Sequence, residues 1–378
     1  MAETVEMEER SMITDSTVII STDNASFASV PLSELIDEVR YLQLENSDSA
    51  MLSAPVNVKY QNGTFYVSDI DERLYCFDND GHFLRKAYKK GKGHGEVVRM
   101  YDFDVDNDYL YILDGSKSAI IKYDHKGNFI KDDKLPFRAI RFSSTSEGFV
   151  FQLAPFSLNN EDENNQIVIT DKEYLLQNSF IRYHVPACNP VSRTPFFFRA
   201  NDKVIFAPIY GRSIFSIDGK NDYDMIYYVD SKSPYYEPAK HIDGAKEAME
   251  KGIIYTYDNP IYNGKYIIQT FTTSPSQKQT LLINSDSNEY AFFNSLVQDC
   301  PLVYDFNFLL TKSFSNELQS FIGFSNSYYP DTHEKDIEEI KQSKPDTIAS
   351  ILIKEGISFA DNPLLIIYSL KENIQLNR

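Results

Sequence analysis

Residues 54–131 contain one strand-turn-strand phrase twice, and this repetition restricts the fold more than any other feature of the chain. The first copy runs Phe65-Tyr66-Val67-Ser68-Asp69, Leu74-Tyr75-Cys76-Phe77-Asp78 and Asp80-Gly81-His82-Phe83-Leu84. The second runs Leu110-Tyr111-Ile112-Leu113-Asp114, Ile120-Ile121-Lys122-Tyr123-Asp124 and Lys126-Gly127-Asn128-Phe129-Ile130. Asp69 and Asp114 stand 45 residues apart, and Gly81 and Gly127 stand 46 apart. A repeat of roughly 40–50 residues holding several short strands is that of a β-propeller blade.

Each unit reads as four antiparallel strands. In the first, Val56 to Tyr60 is apolar, and Gln61-Asn62-Gly63 supplies residues that tolerate the left-handed backbone of a tight hairpin. Thr64 to Ser68 returns, Arg73 to Asp78 follows, and Asn79-Asp80-Gly81 turns the chain into His82 to Ala87. A lone sheet of this kind cannot bury both faces, so such units must stack on one another. The absence of Trp beside 26 Tyr and 26 Phe suits flat packing between sheets.

These residues resemble the NHL type of propeller repeat. More closely, the chain resembles the six-bladed β-propeller proteins of Bacteroides-type bacteria. Three segments carry that likeness: Pro31-Leu32-Ser33-Glu34-Leu35 leading into Tyr41-Leu42-Gln43-Leu44-Glu45, the link Gly91-Lys92-Gly93-His94-Gly95-Glu96, and Asp361-Asn362-Pro363-Leu364-Leu365-Ile366. The resemblance implies an all-β fold of six four-stranded blades, with Arg40 to Glu45 completing the last blade so that both chain ends close one sheet. It also implies a domain over residues 31–378 after a tail at 1–30. Members of that group begin with a lipoprotein or secretory signal. The expectation is therefore a periplasmic or cell-surface protein whose leader, with a lipid anchor in the full-length precursor, is missing from this sequence.

The remaining units follow the same grammar more loosely. The third takes Arg138 to Phe142, Gly148 to Gln152, Gln166 to Thr170 and Tyr174 to Arg182, with an acidic loop at Leu158 to Asn165. The fourth takes Pro195 to Arg199, Lys203 to Ala207, Ser213 to Asp218 and Tyr223 to Val229. The fifth takes Tyr257 to Tyr262, Lys265 to Phe271, Thr280 to Asn284 and Glu289 to Phe293. The sixth takes Val303 to Leu310, Leu318 to Phe324 and Leu364 to Leu370. Helix signals at about 238–252 and 331–356 predict two insertions on one rim. Met1 to Asp15 is acidic and polar and reads as partly disordered.

A net charge of −18 without a run of Lys and Arg excludes nucleic acid as a partner, because phosphate recognition needs concentrated basic surface. No apolar stretch reaches membrane-spanning length. Cys76, Cys188 and Cys300 are too far apart in sequence for a metal-type pair, and Cys76 reads as a buried strand residue. The six histidines show no zinc spacing, and no nucleophile elbow is present.

In a propeller, turns between second and third strands share a rim with the links between blades, and loops on a rigid scaffold are where function gathers. That rim collects His94, Glu96, Arg99, Arg138, Arg193, Asp258 and Tyr304 as candidate ligand contacts. The glycine-rich link reads either as a structural turn or as an anion cradle. Arg99, Arg138 and Arg193 either hold an anionic group or pair with neighbouring acids. Asp102 and Asp104 share one face of an inner strand and are weak candidates for calcium, although Asn107 and Leu113 break the EF-hand pattern. No other cofactor is expected. The expectation is a binding module recognising a protein, peptide or glycan at the rim. The alternative is a metal-dependent hydrolase or lyase of the propeller lactonase type, using Asp102, Asp104 and Asp258.

Overall fold

The computed structural model describes residues 2–22, 28–154, 165–182, 197–208, 211–218, 222–231, 255–256, 260–274, 277–297, 299, 308, 311–324 and 362–376. The expected insertions at 238–252 and 331–356, and most of the acidic loop, lie outside them. Six sheets of antiparallel blade strands make the chain an all-β, six-bladed propeller. The chain divides into two units, one of Met1–Ala28, Lys89–Ser295 and Leu376–Arg378, the other of Ser29–Tyr88 and Leu296–Gln375.

In the second unit, blade 1 pairs Pro55–Gln61, Thr64–Asp69, Leu74–Phe77 and Phe83–Lys86 in sequence order. Blade 6 pairs Thr311–Ser315, Ser320–Phe324, Leu364–Leu370 and Ile36–Gln43, so an N-terminal strand pairs with the C-terminal strand and completes the sheet. Its register sets Leu365 against Leu42 and Ile367 against Arg40. Among the described residues the first strand of this blade is Thr311–Ser315; Val303 to Leu310, expected as its inner strand, lies outside them except for Phe308. The segment Thr-Lys-Ser-Phe-Ser is too polar to read as a strand; the turn that follows it, with Gln319 at φ 51°, sets the pairing. Val58, Phe65, Val67, Tyr75 and Phe77 of blade 1 form one core with Ile322, Phe324, Leu365 and Ile367 of blade 6.

In the first unit, blade 2 pairs Met100–Val105, Leu110–Asp114, Ala119–Tyr123 and Phe129–Lys134, and blade 3 pairs Ala139–Ser144, Gly148–Leu153, Asn165–Asp171 and Leu176–Arg182. Blade 4 pairs Phe198–Ala200, Lys203–Phe206, Ser213–Ile217 and Tyr223–Asp230. Blade 5 is built on Tyr266–Ser274, Gln277–Asn284 and Tyr290–Val297, with the short strands Tyr255–Thr256 and Ile261–Tyr262 both paired to the first of these. Tyr111, Leu113 and Ile120 of blade 2 pack on Phe142, Phe149, Phe151 and Tyr174 of blade 3. Phe180 of blade 3 stacks on Tyr223 of blade 4 with ring centroids 3.6 Å apart. Each such ring, withdrawn from water, contributes on the order of 1.5–3 kcal/mol.

The two repeated aspartates have the same job in both copies. Asp69 and Asp114 close the turn after the second strand: Asp69 accepts the backbone N–H groups of Asp71 and Arg73, and Asp114 those of Ser116 and Lys117. Each also accepts an N–H from the chain entering its blade, Ser53 at 3.3 Å and Val98 at 2.7 Å. Asp78 and Asp124 close the last hairpin, accepting from Asp80 and His82 and from Lys126 and Asn128. Gly81 and Gly127 follow with φ of 83° and 89°, a backbone that side chains disfavour. The 45-residue period is thus a period of turn chemistry.

The acidic N-terminal segment, which composition reads as partly disordered, contains helix Ala2–Ser11 and strand Val18–Ser21. The strand runs parallel to Tyr223–Asp230 and adds a fifth strand to blade 4. Composition misses this because its anchors, Glu9, Met12 and Ile13, act on partners about 200 residues away.

Candidate functional site

The link 91–96 enters blade 2 and folds around its own acid. Glu96 accepts the Gly93 N–H at 2.8 Å and lies 2.7 Å from Lys89 Nζ. Lys89 first and the Gly93 N–H second hold the Glu96 carboxyl below the usual carboxylate range. A Cβ at Gly91 or Gly93 would run into this carboxylate, so the glycines are what let the backbone wrap it. Lys117, from the turn after the second strand, donates to the carbonyls of Glu96 at 2.7 Å and Gly93 at 3.3 Å. Tyr123 Oη donates to the Gly95 carbonyl at 2.7 Å, and the exposed His94 ring meets Phe129 edge-on at 4.5 Å. The link is therefore a structural turn whose anion is supplied in cis.

Arg99 and Arg138 hold equivalent places at the starts of blades 2 and 3, both exposed. The Arg99 carbonyl accepts the Gly115 N–H at 3.0 Å, and the Arg138 carbonyl accepts the Ala154 N–H at 2.8 Å. The Arg99 guanidinium lies 5.2 Å from the centre of the Tyr101 ring. That ring occupies the space a side chain at Gly115 would need. His94, Glu96, Arg99 and Arg138 are thus brought to the loops that enter blades 2 and 3. Arg193, Asp258 and Tyr304 lie outside the described residues.

Asp102 and Asp104 do share one face of the inner strand, and both reach across to blade 3. Asp102 accepts the Phe142 N–H at 3.1 Å. Asp104, fully buried, accepts the Ser144 N–H at 2.7 Å, the Ser144 hydroxyl at 2.9 Å and the Val105 N–H at 2.9 Å. Arg199 of blade 4 completes the cluster: one Nη lies 3.4 Å from Asp104, and the other donates to the Ser144 hydroxyl at 2.7 Å. Arg141 of blade 3 likewise donates to the Tyr101 carbonyl of blade 2 at 3.1 Å. Sequence reasoning missed both inner-strand arginines, because their partners lie on another blade 95 and 40 residues away.

Among the described residues, Asp78, Asp80 and His82 are a set of ligand-type groups within reach of one ion. They belong to the exposed hairpin in which Asp78 is already engaged by two backbone N–H groups. No helix among the described residues is long and apolar enough to cross a membrane.

Residues 16–369 match the family described as a domain of unknown function, DUF4934, and the chain belongs to that family. Among solved structures it is similar to a Bacteroides fragilis protein described as exported, at 14% identity and a TM-score of 0.71, with 94% of this chain and 100% of that one covered. A member of the DUF4221 family from Bacteroides vulgatus is 9% identical, with a TM-score of 0.49 and coverage of 89% and 97%. A streptogramin B lyase is 12% identical, with a TM-score of 0.41 and coverage of 88% and 98%. At these identities the likeness to the Bacteroides fragilis protein establishes the fold. No curated protein matches the chain.

Proposed function

We propose that this chain is an exported, non-catalytic binding propeller that recognises a protein, peptide or glycan of the cell envelope through the loops entering its blades. The observation that carries the reading is how the candidate polar groups are engaged. Of the acids expected for metal chemistry, Asp102 and Asp104 are engaged in bonds between blades, and Glu96 is engaged within its own loop. His94, Arg99 and Arg138 are exposed on a scaffold fixed by buried aromatics. Rigid placement of this kind lowers the ordering cost of binding. The likeness to a protein described as exported supports location outside the cytoplasm, in the periplasm or at the surface.

The test is a binding screen of the purified chain against envelope extracts, glycans and peptides. A ligand whose affinity falls at least tenfold with Arg99→Ala and Arg138→Ala supports the reading. A ligand whose affinity ignores both substitutions places the binding surface elsewhere.

A further inference from the structure

The outer strands of blades 1 and 2, Phe83–Lys86 and Phe129–Lys134, carry Lys and Arg, which discourage another strand from pairing. The outer strand of blade 4 does not. It reads Tyr-Asp-Met-Ile-Tyr-Tyr-Val-Asp, without a single Lys or Arg, and Tyr227, Tyr228 and Val229 are buried. What covers it is residues 2–21, which make three kinds of contact along one line. Val18–Ser21 pairs in parallel from Tyr227 to Asp230, and the Thr17 hydroxyl donates to the Met225 carbonyl at 2.9 Å. Arg10 lies 3.1 Å from Asp230, its guanidinium 5.3 Å from the Tyr228 ring centre.

The third contact is a carboxylate seat. Glu9, only 4% exposed, accepts the Arg212 N–H at 3.2–3.3 Å and the Ser213 hydroxyl. Gly211 leaves the room, since any side chain there would strike this carboxylate. Glu8 accepts the Arg182 N–H of blade 3 at 3.1 Å. A seat of backbone and hydroxyl donors, beside the strand edge that Val18–Ser21 pairs, recognises a peptide by its main chain and by one acid.

We propose that the edge of blade 4, from Gly211–Ser213 to Asp230, is a docking groove for an extended segment of a partner protein that carries a glutamate about nine residues ahead of a β-branched strand. In the free chain, residues 2–21 fill the groove in cis. The spacing is that of Glu9 and Val18, and the strand is Val-Ile-Ile-Ser. A tether gives the cis segment a high effective concentration, so a partner enters when that segment is loosened. This surface is separate from the loops entering blades 2 and 3 and stands whether or not they bind ligand.

The experiment uses the full chain with Glu9→Ala, Val18→Pro and Ile20→Pro, which loosens the segment, and a fluorescent peptide copying residues 2–22. The loosened chain is expected to bind the peptide at least tenfold more tightly than the native chain does. The same peptide with Glu9→Ala should bind at least tenfold more weakly. A loosened chain that keeps a native circular dichroism spectrum and binds neither peptide, or both equally, overturns the proposal. A mass that doubles with concentration and returns to the monomer value on adding peptide would make a second copy the occupant, and would overturn the assignment to a foreign partner. Hydrogen exchange on the native chain covers the case of a loosened chain that fails to fold. The amides of residues 18–21 should exchange at least tenfold faster than those of Ala119–Tyr123, and equal protection refutes an exchangeable segment.

Discussion

Replacing Asp104 by Ala should be among the most damaging single changes in the molecule. Its carboxylate is fully buried on the inner strand of blade 2 and serves three blades at once. Three hydrogen bonds of 2.7–2.9 Å end on it, two from Ser144 and one from Val105. Charged hydrogen bonds contribute about 1.5–3 kcal/mol each, but truncation is governed by what it strands: a buried Ser144 N–H and the Arg199 guanidinium. Arg199 is 24% exposed, so water recovers part of its cost. The expected loss is about 3–5 kcal/mol, the range for removing one partner of a buried charged pair. Arg199→Ala should cost less, about 1–2 kcal/mol, and the double variant should be less destabilised than the sum because the pair shares one network. Urea unfolding followed by near-ultraviolet circular dichroism measures all three. A loss under 1 kcal/mol for Asp104→Ala, or strict additivity with Arg199→Ala, would refute the three-blade clamp.

Three further outcomes follow from local chemistry. Gly81→Ala should destabilise by about 2–4 kcal/mol, because its φ of 83° costs roughly 1–2 and its Cβ would meet the Gln43 carbonyl of blade 6; an unchanged urea midpoint would contradict this. Asp124 and Asp299 are both held below the usual carboxylate range, Asp124 by the Asn128 side chain first and Asp299 by the Ser33 hydroxyl first. A folded value below the unfolded one means their stabilisation is complete above about pH 4 and is lost as pH falls through the folded values, so Asp124→Asn should flatten the acid limb of a stability profile. Burial pushes the Cys76 thiol up to about 12, so iodoacetamide at pH 8 should leave the Cys76 peptide unmodified in the native protein and alkylate it in urea; equal labelling would place Cys76 at the surface.

What could be read from the sequence was whatever local turn chemistry writes into it. Asp69, Asp78, Asp114 and Asp124 close turns with backbone groups two to four residues away, so their spacing exposed the blade. The closing strand Ile36–Gln43 was legible through resemblance, since nothing near it names Leu364–Leu370 as its partner. The contacts that escaped are long-range ones between unremarkable residues. Glu9 finds Ser213, and Asp104 finds Arg199 95 residues away, with no local pattern to announce either. The glycine-rich link read as either a structural turn or an anion cradle, and only the fold shows that its own Glu96 folds back into it.

The binding claim rests on the exposed groups of blades 2 and 3, and a titration of the first ligand recovered from envelope material tests it most directly. Isothermal titration of the native chain, Arg99→Ala, Arg138→Ala and the pair should show stepwise weakening of at least tenfold per substitution, at unchanged thermal midpoints. Binding that survives both substitutions intact, or turnover of the ligand in the calorimeter cell, would contradict a non-catalytic propeller that reads its partner through these loops.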